Sequence, residues 1–167
     1  MANIEQKIAI IEQIIGYTYT DKLICLEALQ MDMDPMYVSL GGIRHLVRKN
    51  KNLEAVGDAI IDAVLCKKWY EFRDSHGHRL SVEQFDSQIR QRNACNNFFT
   101  AIGRANGIDA CILMNAGMGN RASDGMVANT VEAVIGAAYI DAGVNGLAVV
   151  NAIMARLGLD NPPLFST

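Results

Sequence analysis

Two short acidic segments contain the residues whose types and spacing are best suited to chemistry. In the first, Glu54, Asp58 and Asp62 occur at i, i+4 and i+8, which would place them in one row along a helix. Like charges at this spacing repel each other on an exposed helix, and a cation between them would reverse that effect. A plain solvated face is the alternative, because Lys51 could pair with Glu54 across one helical turn.

The second acidic segment places a single carboxylate among small and apolar residues. Glu132 is flanked by Ala128, Val131 and Ala133, and Asn129 lies three residues before it. On a helix, Asn129 and Glu132 would point the same way. A partly buried carboxylate should be neutralised by a partner or a metal, because leaving it unpaired is costly. Oxygen ligands without His or Cys nearby favour Mg²⁺ or Mn²⁺ over zinc, so the two segments together suggest a carboxylate-lined metal site between two helices.

Helical periodicity dominates the segments that must position these groups, and it indicates an all-α domain. Apolar residues recur at helical spacing over most of the chain. Thr20 and Asp21, and the pair Ser81 and Gln84, are candidate helix caps, and Gly158 lies just past a helical stretch. Gly57 would cost about 1 kcal/mol relative to Ala inside the first acidic helix, which indicates that another backbone or a ligand approaches closely there.

The segments between the helical stretches are predicted to be loops within a single domain. Residues 31–49, 74–80 and 114–125 collect Gly, Pro, Asp, Asn and Ser and are predicted to be loops, and the tail at about residues 160–167 should be extended. A chain of 167 residues is most simply one domain, residues 1–167, and folding at that size buries roughly 70% of the unfolded surface.

Composition excludes several classes of protein. The net charge is −3, so overall charge does not indicate a nucleic-acid binder. No apolar run approaches the roughly 20 residues that span a bilayer, and the N-terminus has neither secretory nor mitochondrial character. The four cysteines are scattered without a CxxC pair, which favours free thiols in a reducing compartment. We therefore expect an intracellular protein, cytoplasmic or nuclear, without a membrane partner.

Both acidic segments resemble motifs of one known family. The stretch NKNLEAVGD, residues 50–58, resembles the signature of the ribonuclease III endonuclease domain, which is close to N-E-x-L-E-x-L-G-D. The stretch ANTVEAVIGAAYIDAG, residues 128–143, resembles the family's second acidic motif, close to D-x-x-E-A-x-I-G-A-x-Y-L-D-x-G. Similarity extends to residues 11–29 and 87–109, in the right order, so that the resemblance covers roughly residues 8–157.

The resemblance implies a fold and an activity. The family's domain is a helical bundle that dimerises through the signature helix, and the homodimer forms a valley that accommodates double-stranded RNA. Mg²⁺, or Mn²⁺ as a substitute, would support hydrolysis to 5′-phosphate and 3′-hydroxyl ends. By position in the motifs, the implied catalytic and metal-binding residues are Glu54, Asp58, Asn129 and Glu132.

Three positions depart from the family pattern. Asn129 stands where the family usually has aspartate, so the site loses one negative charge and metal affinity should fall. Lys51 replaces the first acidic residue of the signature, and Ala55 replaces a bulky aromatic that packs into the partner subunit. The implied dimer interface is then formed by Ala55 and Val56. The alternative function is a catalytically weak or silent relative that keeps the dimer as an RNA-binding or scaffold module.

Basic residues near the motifs are candidate RNA contacts. The resemblance stops within the nuclease domain and no double-stranded-RNA-binding domain is expected after it, so affinity would depend on phosphate contacts and fall steeply with salt. The candidates are Arg44, Arg48, Lys51, Arg90 and Arg92. Each has the alternative of a solvated surface cation.

Overall fold

The computed structural model describes residues 3–87, 96–114 and 121–159. In chain order the elements are α1 (Ile4–Ile15), α2 (Lys22–Leu29), β1 (Met36–Leu40), β2 (Ile43–Val47), α3 (Lys51–Glu71), α4 (Val82–Phe85), α5 (Asn96–Ala105), α6 (Asp124–Asp141) and α7 (Gly146–Leu157), with 3-10 turns at Ile108–Cys111 and Gly143–Asn145. The helical bundle predicted from the periodicity is confirmed. The extended tail predicted at 160–167 lies outside the described residues.

Helix α6 lies at the centre of the bundle. Its sequence is apolar or small on all sides from Val127 to Ala138, which is typical of a helix buried by neighbours on every face. Nearly all of these side chains are buried, apart from Asn129 and Glu132. Helices α2, α3, α5 and α7 all pack against α6, and α3 makes the most extensive contact of those described. The two acidic segments therefore lie on two helices that touch.

Helix α1 packs on this core through the stripe that its sequence predicts. Ile8, Ile11 and Ile15 are buried, and the helix ends at Gly16, whose φ of 70° is the left-handed conformation that favours glycine. Capping by Asp21, whose side chain accepts from Leu23 N at 2.8 Å, begins α2 as predicted.

Asp141, at the end of α6, joins the central helix to the connection between α1 and α2. Its carboxylate accepts hydrogen bonds from Thr20 N at 2.8 Å, Asp21 N at 2.9 Å and the Tyr17 hydroxyl at 2.7 Å. Partial burial opposes ionisation, but these donors outweigh it and lower the pKa of Asp141. The aspartate that closes the second acidic motif is thus a structural anchor.

The loop predicted at residues 31–49 is wrong in its central part. Met36–Leu40 and Ile43–Val47 form an antiparallel hairpin in which Tyr37 lies opposite Leu46. Gly41 and Gly42 form the turn with φ of 58° and 79°, the left-handed values that a two-residue hairpin turn requires. The prediction failed because the strands are only five residues long, too short for alternation to stand out against the glycine content.

The other connections agree with the sequence predictions where the structure describes them. Ser81 and Gln84 form the capping box at the start of α4, and residues 74–80 form a loop. Residues 115–120 of the predicted loop at 114–125 lie outside the described residues, and α6 already begins at Asp124. Cys25, Cys66 and Cys111 are free thiols. None of the described helices is long and apolar enough to cross a membrane.

Candidate active site

Helix α3 contains the first acidic residues, and hydrogen bonds to α2 fix its N-terminal end. Its N-cap residue, Asn50, is fully buried, and its backbone and side-chain N–H groups donate to Gln30 O and Ala28 O, both at 3.2 Å. These bonds attach the start of α3 to the end of α2. One turn into the helix, the Glu54 carboxylate is mostly buried, and the exposed Asp58 follows one turn later.

Helix α6 brings the second acidic segment against α3. Asn129 and Glu132 are half-buried and lie one turn apart. The two helices cross at Gly57 and Gly136 with their main chains in contact. A Cβ added to Gly57 would lie 1.9 Å from the backbone oxygen of Glu132, and one added to Gly136 would lie 2.2 Å from the backbone oxygen of Leu53. The close approach predicted from Gly57 is therefore confirmed, and the neighbouring element is α6.

Asp58 and Glu54 lie within electrostatic reach of Glu132, and the three side chains are called the acidic cluster below. Burial and, to a smaller extent, the negative charges of Asp58 and Glu54 together raise the pKa of Glu132 to about 7, while Lys51 partly offsets them. Lys51 Nζ lies 3.0 Å from Glu54 Oε2, so the pairing considered from the sequence is present. Lys51 neutralises one acid of the cluster, and the Glu132 carboxylate is half-buried beside two other acids.

The donor chemistry fits a hard divalent cation. Glu54, Asp58, Glu132 and the Asn129 amide offer oxygen atoms alone, the type of ligand that Mg²⁺ and Mn²⁺ prefer, and the raised pKa of Glu132 marks a charge that a cation would neutralise. Within the part of the chain that the structure describes, no three His, Cys, Asp or Glu side chains are arranged to hold a metal ion by themselves. Any metal ligation by this cluster is a proposal.

The raised pKa of Glu132 predicts that the metal-free protein loses stability as pH rises. The unfolded carboxyl titrates near 4.5 and the folded one near 7, so the folded state binds more protons between these values and stability falls across that window. Because the side chain is partly solvated, we expect a loss of only about 1–2 kcal/mol. Urea unfolding with a chelator between about pH 5 and about pH 8 measures it.

The Glu132→Gln variant is the control for this titration. It should lack the part of the pH dependence that the wild type owes to Glu132, because an amide does not titrate in this range. Identical pH profiles for the two proteins would contradict the assignment of the buried charge to Glu132.

Comparison with known proteins identifies the family. A sequence model described as Ribonuclease-III-like matches residues 41–157. The chain belongs to the ribonuclease III-like family.

Relatives named Ribonuclease 3 agree with this placement. The one from Leifsonia xyli is 31% identical over 139 residues, which cover 74% of this chain and 54% of the relative. The one from Rhodopirellula baltica is 24% identical and covers 82% of this chain and 47% of the relative. The ribonuclease III-like chain therefore spans about half the length of the curated relatives that it matches.

Solved structures confirm the fold. The nuclease domain of ribonuclease III from Campylobacter jejuni superimposes with a TM-score of 0.67 at 25% identity, over 98% of both chains. Another structure of that domain, described for flexibility in the region involved in its dimer formation, gives a TM-score of 0.69 at 23% identity over 93% of this chain and 97% of that one. The bundle is thus the ribonuclease III nuclease fold.

The candidate RNA contacts of the ribonuclease III-like chain fall into two groups. Arg44 and Arg48 are exposed on or next to the hairpin, and Lys51 is exposed at the start of α3. The Arg44 guanidinium lies over the Tyr37 ring at 4.5 Å. Arg90 and Arg92 lie outside the described residues, so their prediction stays untested.

The candidate dimer interface lies on the outer face of the signature helix α3. Ala55 is exposed and Val56 is half-buried. The sequence reasoning missed that Ala59 and Ala63 are also exposed and continue the row from Ala55 at every fourth residue. The sequence contained a signal for this row, because alanines at every fourth position line up small side chains along one face of a helix.

Proposed function

We propose that this ribonuclease III-like domain is an Mg²⁺-dependent endoribonuclease that cleaves double-stranded RNA as a homodimer. The observation that carries the proposal is the Glu132 carboxylate, held half-buried at the crossing of α3 and α6 within electrostatic reach of Asp58 and Glu54. Burial of the Glu132 charge beside two other acids lowers the stability of the fold, and a bound cation would offset this loss. The family and the fold of its ribonuclease III relatives support this reaction class.

Four side chains of the candidate site would act together as ligands of the cation. Glu54, Asp58, Glu132 and the Asn129 amide oxygen would hold the cation. A bound Mg²⁺ or Mn²⁺ would polarise the scissile phosphate and lower the pKa of an attacking water, giving 5′-phosphate and 3′-hydroxyl ends. The rigid helix crossing fixes the separation of the ligands from the two helices, so that little reorganisation is needed during the reaction.

Homodimerisation is supported by the outer face of α3. Ala55, Ala59 and Ala63 form a row of small exposed side chains along about two turns of this face, which permits close approach of a second helix. Two copies packed through α3 would bring two acidic clusters to one surface, as cleavage of both strands of a duplex requires.

The test is a divalent-metal titration of the protein with a short RNA duplex. Cleavage, the chemistry of the new ends, metal binding and the sedimentation coefficient are read together. We expect cleavage with Mg²⁺ or Mn²⁺ by a dimer, and less at high salt because phosphate contacts weaken. A folded dimer that binds neither metal nor RNA, or that leaves duplex RNA intact at low salt, would contradict the proposal.

The second candidate function, a silent RNA-binding or scaffold dimer, is favoured by one observation. Asn129 offers an amide where the family motif has aspartate, and this lowers the negative charge that a cation would meet. The two candidates differ in whether the native cluster binds a metal tightly enough to act.

An Asn129→Asp variant distinguishes the candidates. Adding a carboxylate one turn from Glu132 should lower the metal dissociation constant by about tenfold, because affinity rises with ligand charge. If the native cluster is a weak site, cleavage rises in parallel; if cleavage stays at the wild-type rate, the case for silence falls. Isothermal calorimetry and gel-based cleavage measure the two effects. Asn145→Asp, the same charge change at an exposed position away from the cluster, should alter neither.

A further inference from the structure

The hairpin and the turn after it contain positive charge without acid. Residues 36–51 include four of the chain's 15 Lys and Arg residues and none of its 18 Asp and Glu residues, in a chain whose net charge is −3. Lys51 is paired with Glu54, and Arg48 lies within electrostatic reach of Glu27. Arg44, on the hairpin, contacts an aromatic ring instead of an acid.

The outward face of the hairpin consists of Tyr37, Ser39, Arg44 and Leu46, all exposed. Ser39 lies opposite Arg44 and Tyr37 opposite Leu46, so the stack of Arg44 on Tyr37 is a diagonal pair across the two strands. Tyr37 is 62% exposed and Leu46 is 53% exposed. This hairpin face thus combines a cation, two hydroxyl groups and an apolar side chain on a two-stranded ribbon.

The base of the hairpin is close in the chain to the signature helix, and its narrow tip lies beside the start of α1, where the Gly41 N–H donates to Glu5 Oε1 at 3.4 Å. Gly41 and Gly42 have no side chains, and a Cβ added to either would meet nothing within 4 Å. Only residues 48–50 connect Val47 to Lys51, a separation of at most about 15 Å, and the strands reach about 17 Å beyond their base. RNA positioned at α3 would therefore lie within reach of the hairpin face.

We propose that the hairpin face binds the minor groove of double-stranded RNA next to the candidate active site. The minor groove of A-form RNA is wide, shallow and lined with 2′-hydroxyl groups, so a two-stranded ribbon with a glycine tip fits it. Arg44 contacts a phosphate, which suits a guanidinium, and the Tyr37 and Ser39 hydroxyls bond to 2′-hydroxyls. Leu46 packs on sugar carbons. The assignment rests on the proposed function, since it takes duplex RNA as the substrate.

The experiment compares two matched double variants of the full chain. The first, Tyr37→Ser with Arg44→Ser, removes the hairpin stack. The second, Tyr70→Ser with Arg79→Ser, removes the equivalent exposed stack at the end of α3, where the guanidinium lies 4.6 Å from the ring and Tyr70 is 59% exposed. Both remove one positive charge and one tyrosine, so only the location differs.

Fluorescence anisotropy with a short labelled RNA duplex and a chelator gives the affinities. We expect the hairpin variant to bind RNA about tenfold more weakly, with a salt slope smaller by about one, and to lose the wild type's preference for RNA over a DNA duplex of the same sequence. The Tyr70 and Arg79 variant should bind as the wild type does. All three proteins should unfold at the same temperature, because the four side chains are exposed.

Every other outcome overturns the hairpin assignment, the proposed function or both. Equal losses in both variants would mean general electrostatic attraction, and a changed sedimentation coefficient with intact RNA affinity would mean that the hairpin face contacts protein. Wild-type cleavage measured in parallel separates the two proposals. Cleavage together with unchanged affinity in the hairpin variant overturns the hairpin assignment alone. Binding without cleavage overturns the proposed function and leaves the binding comparison standing, and a wild type that neither binds nor cleaves RNA overturns both.

Discussion

Glu132→Gln is expected to lower the rate of RNA duplex cleavage by about a thousandfold while making the metal-free protein more stable. Glutamine keeps the shape of the side chain but removes the charge that a cation would neutralise. A thousandfold corresponds to about 4 kcal/mol of lost transition-state stabilisation, which is reasonable for a metal ligand that contributes directly to charge stabilisation. Stability at neutral and higher pH should rise by about 1–2 kcal/mol, because the partly solvated Glu132 carboxylate no longer has to ionise against its neighbours.

Single-turnover cleavage and urea unfolding measure the two effects of this substitution. Glu71→Gln is the matched control, since Glu71 lies on α3 with an exposed side chain paired to Lys67. It should alter both quantities little, as exposed ion pairs contribute less than about 1 kcal/mol. Cleavage by Glu132→Gln within tenfold of the wild-type rate would contradict a ligand role for Glu132.

Gly57→Ala is expected to destabilise the fold by about 3 kcal/mol or more, although alanine gains about 1 kcal/mol in helix propensity. The added methyl carbon would lie 1.9 Å from the backbone oxygen of Glu132. A main-chain atom of the central helix cannot rotate away, so α3 and α6 must separate. This movement would also increase the distances from Glu54 and Asp58 to Glu132, and both stability and metal binding should fall together.

Gly125→Ala is the control for the helix crossing. Gly125 lies in the first turn of α6, without a positive φ, and a Cβ there would meet nothing within 4 Å. This variant should be slightly more stable than the wild type, because only the propensity gain remains. Equilibrium unfolding in denaturant compares the two alanines, and equal stabilities would refute steric contact at Gly57.

Much of the fold could be predicted because its signals are local. The stripe of Ile8, Ile11 and Ile15, the capping box at Ser81 and the glycine that ends α1 each involve residues within one or two turns of each other. The hairpin at residues 36–47 escaped prediction because its strands are short and its stability depends on packing against α1 and α2, which no local pattern records.

The candidate site was predictable in its members but not in its geometry. Two acidic segments and the family motif pointed to Glu54, Asp58, Asn129 and Glu132. The raised pKa of Glu132 depends on burial and on charges located on another helix. The anchoring role of Asp141 depends on donors more than 100 residues away in the chain, and nothing in its own segment indicates them.

The contact of Gly57 with α6 and of Gly136 with α3 affects how freely the rest of the sequence can change. Where two helices meet through side chains, a larger or smaller residue in the core shifts one helix relative to the other. Here main-chain atoms set the separation, so substitutions elsewhere in the core can accumulate without moving the acidic residues relative to one another. Substitutions in most of the bundle should therefore leave the geometry of the candidate site unchanged. That geometry depends on Gly57 and Gly136, which have no side chain.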